Sequence, residues 1–453
     1  MGIGALSSAM SGMKGAQQRL DLASHNIANA NTPGYQKQVL EVRAAGYGQV
    51  RGIFSNSSVS PGGMVVTGIT RKTDPGAYSR LVQAQGDSGA TSALSSQFRK
   101  LENLFPEPSD SALGSQFADY WGAWQGVSNQ PSSSAARVNL LAVTNSLVAS
   151  IHTTANDIAR LRTSVQSDLN VMVTDVNQLA KELADTASSA RAADQSLSAT
   201  QDLLSHRDEL ATQLASKVGG RVNIMEDGTF QFLLGGRPLV DGVRAEELQY
   251  TAGTVTWQAD GTSTELGGEA SGLQSALVGT FTQYEQSLDD VVAALVADVN
   301  SLHQSGYDLA GTTGVNFFDP NGTTAATLAV DGAVAGQPAN IAAAARAGAT
   351  EDGDIARQLA AVALSASGAD AKYRDMIAQL GVDSRLAEGR ASAQASLSES
   401  LDMAMKEVSG VNIDEETVDI MAAQRAFQAA ARVITAVDEM LATLIERTGV
   451  VGR

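Results

Sequence analysis

Four consecutive residues, Gly86-Asp87-Ser88-Gly89, copy the stretch that carries the nucleophilic serine of chymotrypsin-like proteases. A serine hydroxyl is a weak nucleophile at neutral pH. It attacks a carbonyl only when a histidine takes its proton and a carboxylate orients that histidine. The chain has 4 histidines, His25, His152, His206 and His303, all far apart in sequence. None lies four residues from another, the spacing that sets two imidazoles on one helical face for zinc. Cysteine is absent, which removes thiolate nucleophiles, disulfides and thiolate metal sites. Gly2-Ile3-Gly4 opens like a dinucleotide fingerprint, but Ser7 stands in place of the third glycine and no strand precedes it. Asp352-Gly353-Asp354 lacks the alternating ligands and closing glutamate of a calcium loop. Ser88 itself lies in an Ala/Ser/Gln-rich stretch of a chain without the protease's β-barrel pattern, and the other candidates read as solvated turns or helix surface. The sequence predicts no enzyme, no cofactor and no metal site.

Composition narrows the classes further. At 453 residues the chain has room for about three domains and a sizeable core. Its 31 Lys+Arg against 49 Asp+Glu give a formal charge of −18, which repels nucleic acid and acidic membrane surfaces alike. Aromatic residues at 5% suit helices packed along their length better than a ligand pocket. No uninterrupted apolar run is long enough to insert in a membrane. The opening Met1-Gly2-Ile3-Gly4-Ala5-Leu6 has no basic region or apolar run, so no cleaved signal peptide is expected, and Leu6 breaks the myristoylation pattern.

Glycine and proline punctuate the chain. From Ser132 to Val218 neither occurs. Within that stretch Ile158, Leu161, Val165, Leu169, Met172, Val176, Leu179 and Leu183 recur at three and four residues, one face of a long helix opened by Ser132–Ser134 after Pro131. A second helix is expected over Gln201–Val218. Shorter ones run through Leu94, Phe98, Leu101 and Leu104, stopped by Pro106, and through Leu113, Phe117, Tyr120, Trp124 and Val127. Another spans about Ser271–His303. After Gly219-Gly220, short β-forming stretches alternate with Asp227-Gly228, Gly235-Gly236 and Asp241-Gly242, the turn chemistry of hairpins. Residues 306–340 read as loop or weak β. Residues 41–78, with Pro61-Gly62-Gly63 and Asp74-Pro75-Gly76, read as extended chain and turns.

The two ends match each other. Ile3, Leu6, Met10, Met13, Leu20 and Ile27 occupy a and d positions of a heptad, with Gln17 and Ser24 as polar exceptions. Ile420, Ala423, Phe427, Ala430, Ile434, Val437, Leu441 and Leu444 do so at the other end. Each stripe needs a partner, so the terminal helices are expected to pair as a coiled coil. Asn412 with Glu415 forms a capping box for the second, and Gly449 closes it. The expected fold class is mainly α with a small β insertion (α+β). Residues 1–42 and 405–453 form an inner terminal-helix domain. Residues 43–219, 269–305 and 341–404 form an elongated helical rod that starts with an extended segment. Residues 220–268 form a β-rich outer module, with 306–340 a candidate addition.

One stretch is specific. Ser11-Gly12-Met13, then Leu20 through Tyr35 (Leu-Asp-Leu-Ala-Ser-His-Asn-Ile-Ala-Asn-Ala-Asn-Thr-Pro-Gly-Tyr), resembles the N-terminal signature of flagellar rod, hook and hook-associated proteins. Physically it is a helix with an enforced end. Asn29 and Asn31 tolerate left-handed backbone, Pro33 forbids helix at Thr32, and Pro33-Gly34 before Tyr35 suits a type II turn. Val411–Glu416 with Ala422–Ile434 resembles the terminal helix of the same axial families. The interior, through Asp202–Leu210, Gly306–Leu309 and Phe317-Phe318, resembles the hook-associated branch. The resemblance implies a structural subunit at the junction of hook and filament, exported by the flagellar type III system to the cell exterior. It implies self-association through Leu6, Met10, Met13, Leu20 and Ile27 with Ile420, Phe427, Ile434, Val437, Leu441 and Leu444. It also implies contacts with the hook protein and with a second junction protein, hook-associated protein 3, and an export chaperone on the C-terminal helix. The alternatives are a distal-rod or hook subunit and, from another class, a type III-secreted effector or enzyme.

Overall fold

Two helices from opposite ends of the chain lie against each other, and the remaining elements are strung between them. The computed structural model describes residues 2–45, 63–225, 227–251 and 253–448; Pro61, Gly62 and Gly449, singled out above, lie outside them. The protein is mostly helical with small antiparallel sheets. Among the described residues no helix is long and apolar enough to cross a membrane.

Helix α1 (Gly2–Asn29) leads through a turn into a hairpin of β1 (Gln38–Ala44) and β2 (Met64–Arg71), antiparallel with a bulge at Glu41/Val42. Helix α2 then runs Pro75–Glu102. Asp74-Pro75-Gly76 is therefore a helix start and not a turn. The Asp74 carboxylate accepts from the backbone N–H of Gly76 (2.8 Å) and Ala77 (3.0 Å), and Pro75 takes the first position, where its missing N–H costs nothing. The same dipeptide opens a turn or a helix. Here packing decides, because Tyr78, Leu81 and Val82 bury themselves in the core.

Helix α3 (Leu113–Asn129) and the 59-residue α4 (Ser134–Ala192) follow, the latter capped by Ser133, whose hydroxyl accepts from Ala136 N–H. Residues 193–197 break the helical run, and α5 (Ser198–Val218) starts three residues before the expected point. Strands β3 (Arg221–Ile224), β4 (Phe230–Leu234), β5 (Arg237–Asp241) and β6 (Arg244–Ala245) form one antiparallel sheet. Strands β7 (Leu248–Thr251) and β8 (Thr254–Trp257) form a separate hairpin. Strand β5 carries Pro238, which has no N–H to give to a ladder. The ladder shifts register between Phe232 and Leu233, next to the Leu233↔Pro238 pair, and there accommodates a residue without an N–H.

Helix α6 (Gly268–Ser275) passes through a π-helical turn, Ala276–Thr280, into α7 (Phe281–Ser305). Residues 306–340 carry no strand. They fold as turns against the helices: Asn300 of α7 donates to Phe318 O and accepts from Phe317 and Phe318 N–H, and His152 of α4 meets Leu328 O at 2.9 Å. Short α8 (Asp354–Ala361), long α9 (Ala369–Ser409) and α10 (Ile413–Thr448) complete the chain.

The apolar core lies where α2, α3, α4, α7 and α9 converge. Tyr120, Trp124, Phe317 and Phe318 interlock there with ring centroids 5.0 to 6.4 Å apart. Arg137 and His303 are among the polar side chains buried in it. Arg137, 1% exposed, donates to Pro131 O (2.7 Å) and Ile341 O (2.5 Å). His303, fully buried, bonds Val315 O through Nδ1 (2.7 Å) and accepts from Ala342 N–H at Nε2 (2.9 Å). His303 is thus a core residue and not the solvated surface histidine expected from sequence. Its two fixed partners assign the proton to Nδ1.

Candidate functional site at the root of the terminal helices

The serine proteases' motif is taken apart first by the geometry. Gly86-Asp87-Ser88-Gly89 lies in the interior of α2, not on a strand-to-helix elbow. Its glycines serve packing: a Cβ on Gly86 would come 3.1 Å from Ala215 O, and one on Gly89 would come 2.3 Å from Ser216 O. Helix α5 therefore crosses α2 there at backbone distance. Among the described residues no cluster of histidine and carboxylate side chains could hold a metal ion.

The densest polar construction lies instead where α1 ends. Asn26, 1% exposed, is its centre. Its amide donates to Gln38 O (3.0 Å) and to the Glu416 carboxylate (3.0 Å), and its oxygen accepts from Gln38 N–H (3.0 Å) and from the Tyr35 hydroxyl (2.8 Å). Every hydrogen-bonding direction of that amide is used to tie the end of α1 to the chain after the bend and to the start of α10. Burying a polar group costs little when it is satisfied so fully, and much when a partner is removed.

Around Asn26 three of the segments that carry the sequence resemblance come together. Lys37 forms ion pairs with Glu416 (2.7 Å) and Glu415 (3.2 Å), and its backbone N–H donates to Ser409 O (2.7 Å). Burial of Lys37 pulls its basicity down, but the hydrogen bonds to Glu416 and Glu415 outweigh that and leave it raised. Burial first, then the Asp202 and Glu416 charges, pushes the Tyr35 hydroxyl well above its ordinary value, so it stays a donor to Asn26. Gln38 reaches the other way. Its amide donates to Asp202 (2.7 Å) on α5 and accepts from the Ser198 hydroxyl (2.6 Å), while His25 meets the same Asp202 oxygen at 3.1 Å.

A second knot lies one step further out. Arg71 at the end of β2 and Arg207 of α5 both reach the buried Asp208 carboxylate at 2.7 Å, and the Tyr78 hydroxyl donates to Asp208 O. The Arg207 guanidinium also lies 4.6 Å over the Phe230 ring of β4. Hairpin, rod and β sheet are thus joined through one residue pair.

The bend itself has the expected turn geometry. Tyr35 N–H bonds Thr32 O at 3.1 Å, and Gly34 has φ +72. A Cβ there would come 2.6 Å from Glu209 Cβ, so both backbone and space demand glycine. Asn29 is half-buried and donates to His25 O (3.0 Å); Asn31 and Pro33 are exposed. At the start of α10 only half of a capping box forms. Asn412 accepts from Asp414 N–H (3.0 Å), while Glu415 turns to Lys37 in place of Asn412.

Along the terminal helices the stripe residues are only partly covered. Leu6, Met13, Leu20, Ile27, Ile420, Ile434 and Leu441 are half-buried, and Val437 is buried. Met10 (54%), Phe427 (38%) and Leu444 (61%) face outward. The fully covered positions include Ala9, Ala16 and Ala23 of α1, at seven-residue steps, with Leu22 and Asn26 beside them, and Glu416, Ala423 and Val437 of α10. Sequence reasoning missed Asn26, Gln38, Asp202 and Glu416 as site residues. The available signal was the presence of all of them within or beside the resembling segments.

Comparison with known proteins fits this assembly of parts. Residues 98–318 match the family described as the flagellar hook-associated protein FlgK helical domain. Residues 6–36 match the flagella basal body rod protein family, and 404–447 the C-terminal family of flagellar basal body rod FlgEFG proteins. Flagellar hook-associated protein 1 of Bacillus subtilis is 23% identical over 99% of both chains. That of Escherichia coli is 27% identical over 69% of this chain and 59% of its own length, and that of Salmonella typhimurium 29% over 68% and 58%. The chain thus spans about three fifths of those two relatives. The flagellar hook junction protein FlgK from Burkholderia pseudomallei overlays 53% of this chain and 46% of its own, with a TM-score of 0.48 and 23% identity.

Proposed function

We infer that this chain, which resembles flagellar hook-associated protein 1 from end to end, is a structural subunit of the bacterial flagellum at the junction of hook and filament. It works through its first and last helices. The observation that carries this reading is the knot at Asn26. There the N-terminal signature, the 202–209 segment and the start of α10 are fastened to one another, so the terminal helices leave the rod as one pair at one angle. A subunit that repeats around a tube needs that angle fixed, because every copy must enter the same lattice. The pair behaves as a coiled coil whose seam is set by Ala9, Ala16 and Ala23 and whose large apolar side chains are left for neighbouring copies. Rod and hook proteins share such ends; the helical middle over 98–318 separates this chain from them.

The partners follow from that position: further copies of the chain, the hook protein below, and the second junction protein, hook-associated protein 3, above. Before export, a chaperone covers the Phe427 side of α10, where an exposed apolar stripe otherwise invites aggregation. Export runs through the flagellar type III apparatus, and the protein ends outside the cell. The test is complementation of a deletion strain with the wild-type chain and with Asn26→Ala, scored by electron microscopy of flagella. The wild type restores filaments, and Asn26→Ala gives hooks without filaments although the protein is exported. Normal filaments in the uncomplemented deletion strain would remove the junction role.

A further inference from the structure

The β1–β2 hairpin does not stand away from the helix before it but lies along it. Its base is fastened to the rod. Arg71 reaches Asp208 of α5 at 2.7 Å, Gln38 reaches Asp202 at 2.7 Å, and Ile69 N–H donates to Ser196 O at 3.1 Å. Its far end is fastened to α1. Met64, which pairs with Ala44 at the end of the ladder, donates its backbone N–H to the Ser11 hydroxyl at 3.3 Å. The Met64 side chain enters a notch at Gly15, where a Cβ would run into Met64 Cε. Gly63 comes equally close, since a Cβ on it would stand 2.6 Å from Ser11 Oγ. The two lengths agree. Gln38–Ala44 rises about 20 Å as a strand, and Ser11 to Asn26 spans about 22 Å of helix. Ser11, Gly15 and Asn26 are spaced by one turn and then three, so they fall on one line of α1, and each bonds to or packs on the hairpin.

We propose that the hairpin is a brace that sets the direction of α1, with Met64 and Gly15 as its positioning residues. The proposal rests on the junction-subunit reading above, in which the terminal pair must leave the rod at one angle. The Asn26 knot holds α1 near one end, and a stiff helix held there can swing. A second fastening about 16 Å further along, on an arm itself tied to α5, turns that pivot into a fixed axis. The residue types fit the task. Glycine inside a helix is a local weakness, because its backbone gives up more freedom than that of alanine. At Gly15 it provides the seat that the methionine fills. Methionine suits a seat of irregular shape, since its unbranched chain adapts without strain. Ser11 opens the Ser11-Gly12-Met13 stretch of the N-terminal signature, so the front half of that signature receives the far end of the brace and the back half forms the knot.

The chain has no cysteine, so a pair placed by substitution reports on this contact alone. Met64 Cγ lies 3.5 Å from where a Gly15 Cβ would stand, close enough for Gly15→Cys with Met64→Cys to form a disulfide. Three chains are compared in the deletion strain: the wild type, the oxidised cysteine pair, and Gly15→Leu, which fills the seat while favouring helix. The wild type and the disulfide-linked subunit are expected to build filaments on similar numbers of cells. Gly15→Leu is expected to be exported and to cut that number at least tenfold, and adding Met64→Ala, which vacates the space the leucine needs, to bring it back within twofold. Normal filaments with Gly15→Leu, no disulfide in the exported pair, a linked subunit that fails to assemble, or no recovery with Met64→Ala overturns the brace, while filaments on the wild type keep the junction reading. If the wild type builds none, both fall. Should Gly15→Leu not be exported, hydrogen exchange of the purified chain decides. Exchange at least tenfold faster in β1 and β2 with α4 unchanged supports the brace, and unchanged exchange in the hairpin overturns it.

Discussion

The rod and the terminal pair are both made of helices, yet they are held by opposite means. In the rod, Trp124, Tyr120, Phe317 and Phe318 fill a closed core, with His303 and Arg137 hydrogen-bonded to backbone carbonyls inside it. In the terminal pair the covered side chains are mainly alanines, and the strongest ties are polar and gathered at one end. The rod turns its large aromatic side chains and most of its leucines and valines into a core of its own. The pair leaves most of its larger side chains only half-covered, with Met10, Phe427 and Leu444 outward. The difference separates a region closed on itself from one that is not.

The comparison breaks most sharply at Trp124. Trp124→Ala should remove about 3–5 kcal/mol of stability, read as a large fall in the denaturant midpoint of the monomer. A loss under about 1 kcal/mol would mean that the rod is not the independent core argued above. Next in size is acid. Burial, with the nearby Arg137 charge adding, holds His303 down to about 4, against 6.5 for a free imidazole. Between those values the unfolded chain binds a proton that the folded chain refuses. Stability is therefore complete above pH 6.5 and falls as pH drops toward 4, by about 3 kcal/mol at most. Equilibrium unfolding at pH 7 and pH 4.5 measures it, and His303→Gln should flatten the slope.

Gly34→Val sharpens the contrast from the other side. Positive φ and the approach to Glu209 make it cost about 1–3 kcal/mol locally. Hydrogen exchange should show faster opening at the root of α1 with the rod unchanged, and the deletion strain carrying it should not grow filaments. Intact filaments would show that the bend tolerates another path. The smallest effect on the monomer is expected for Phe427→Asp, within about 0.5 kcal/mol because the side chain already meets water. Assembly and chaperone binding should nevertheless fail, as pull-down and microscopy would record.

Much of this architecture is legible in the sequence, for identifiable reasons. A long helix without glycine or proline announces itself, and Ser133 caps it where the pattern begins. Turn dipeptides mark the small sheet, including β5, whose ladder shifts register beside its proline. The helix from Pro75 was obscured because Asp-Pro-Gly opens turns and helices by the same hydrogen bonds, and only the burial of Tyr78 and Leu81 distinguishes them. At the candidate site the bend could be read from Pro33-Gly34, since that is local backbone chemistry. The knot could not. Asn26, Gln38, Asp202 and Glu416 owe their roles to contacts across hundreds of residues, and each alone looks like an ordinary surface polar residue. Hydrophobic periodicity likewise finds large side chains, while α1 buries small ones most deeply.

Helix α4 gives the molecule a mechanical property. At 59 residues it is about 90 Å long, without an interior glycine or proline to act as a soft point. One end meets α3 and the segment around Ile341, and the other lies beside α5 near the root of the terminal pair. It is a spar. A sideways load on the outer end becomes a bending moment at the root, where it is carried by many short polar links in shear. Such links can fail and re-form one at a time. The member stays stiff and the joint yields in small steps, at the end of the spar opposite the aromatic core.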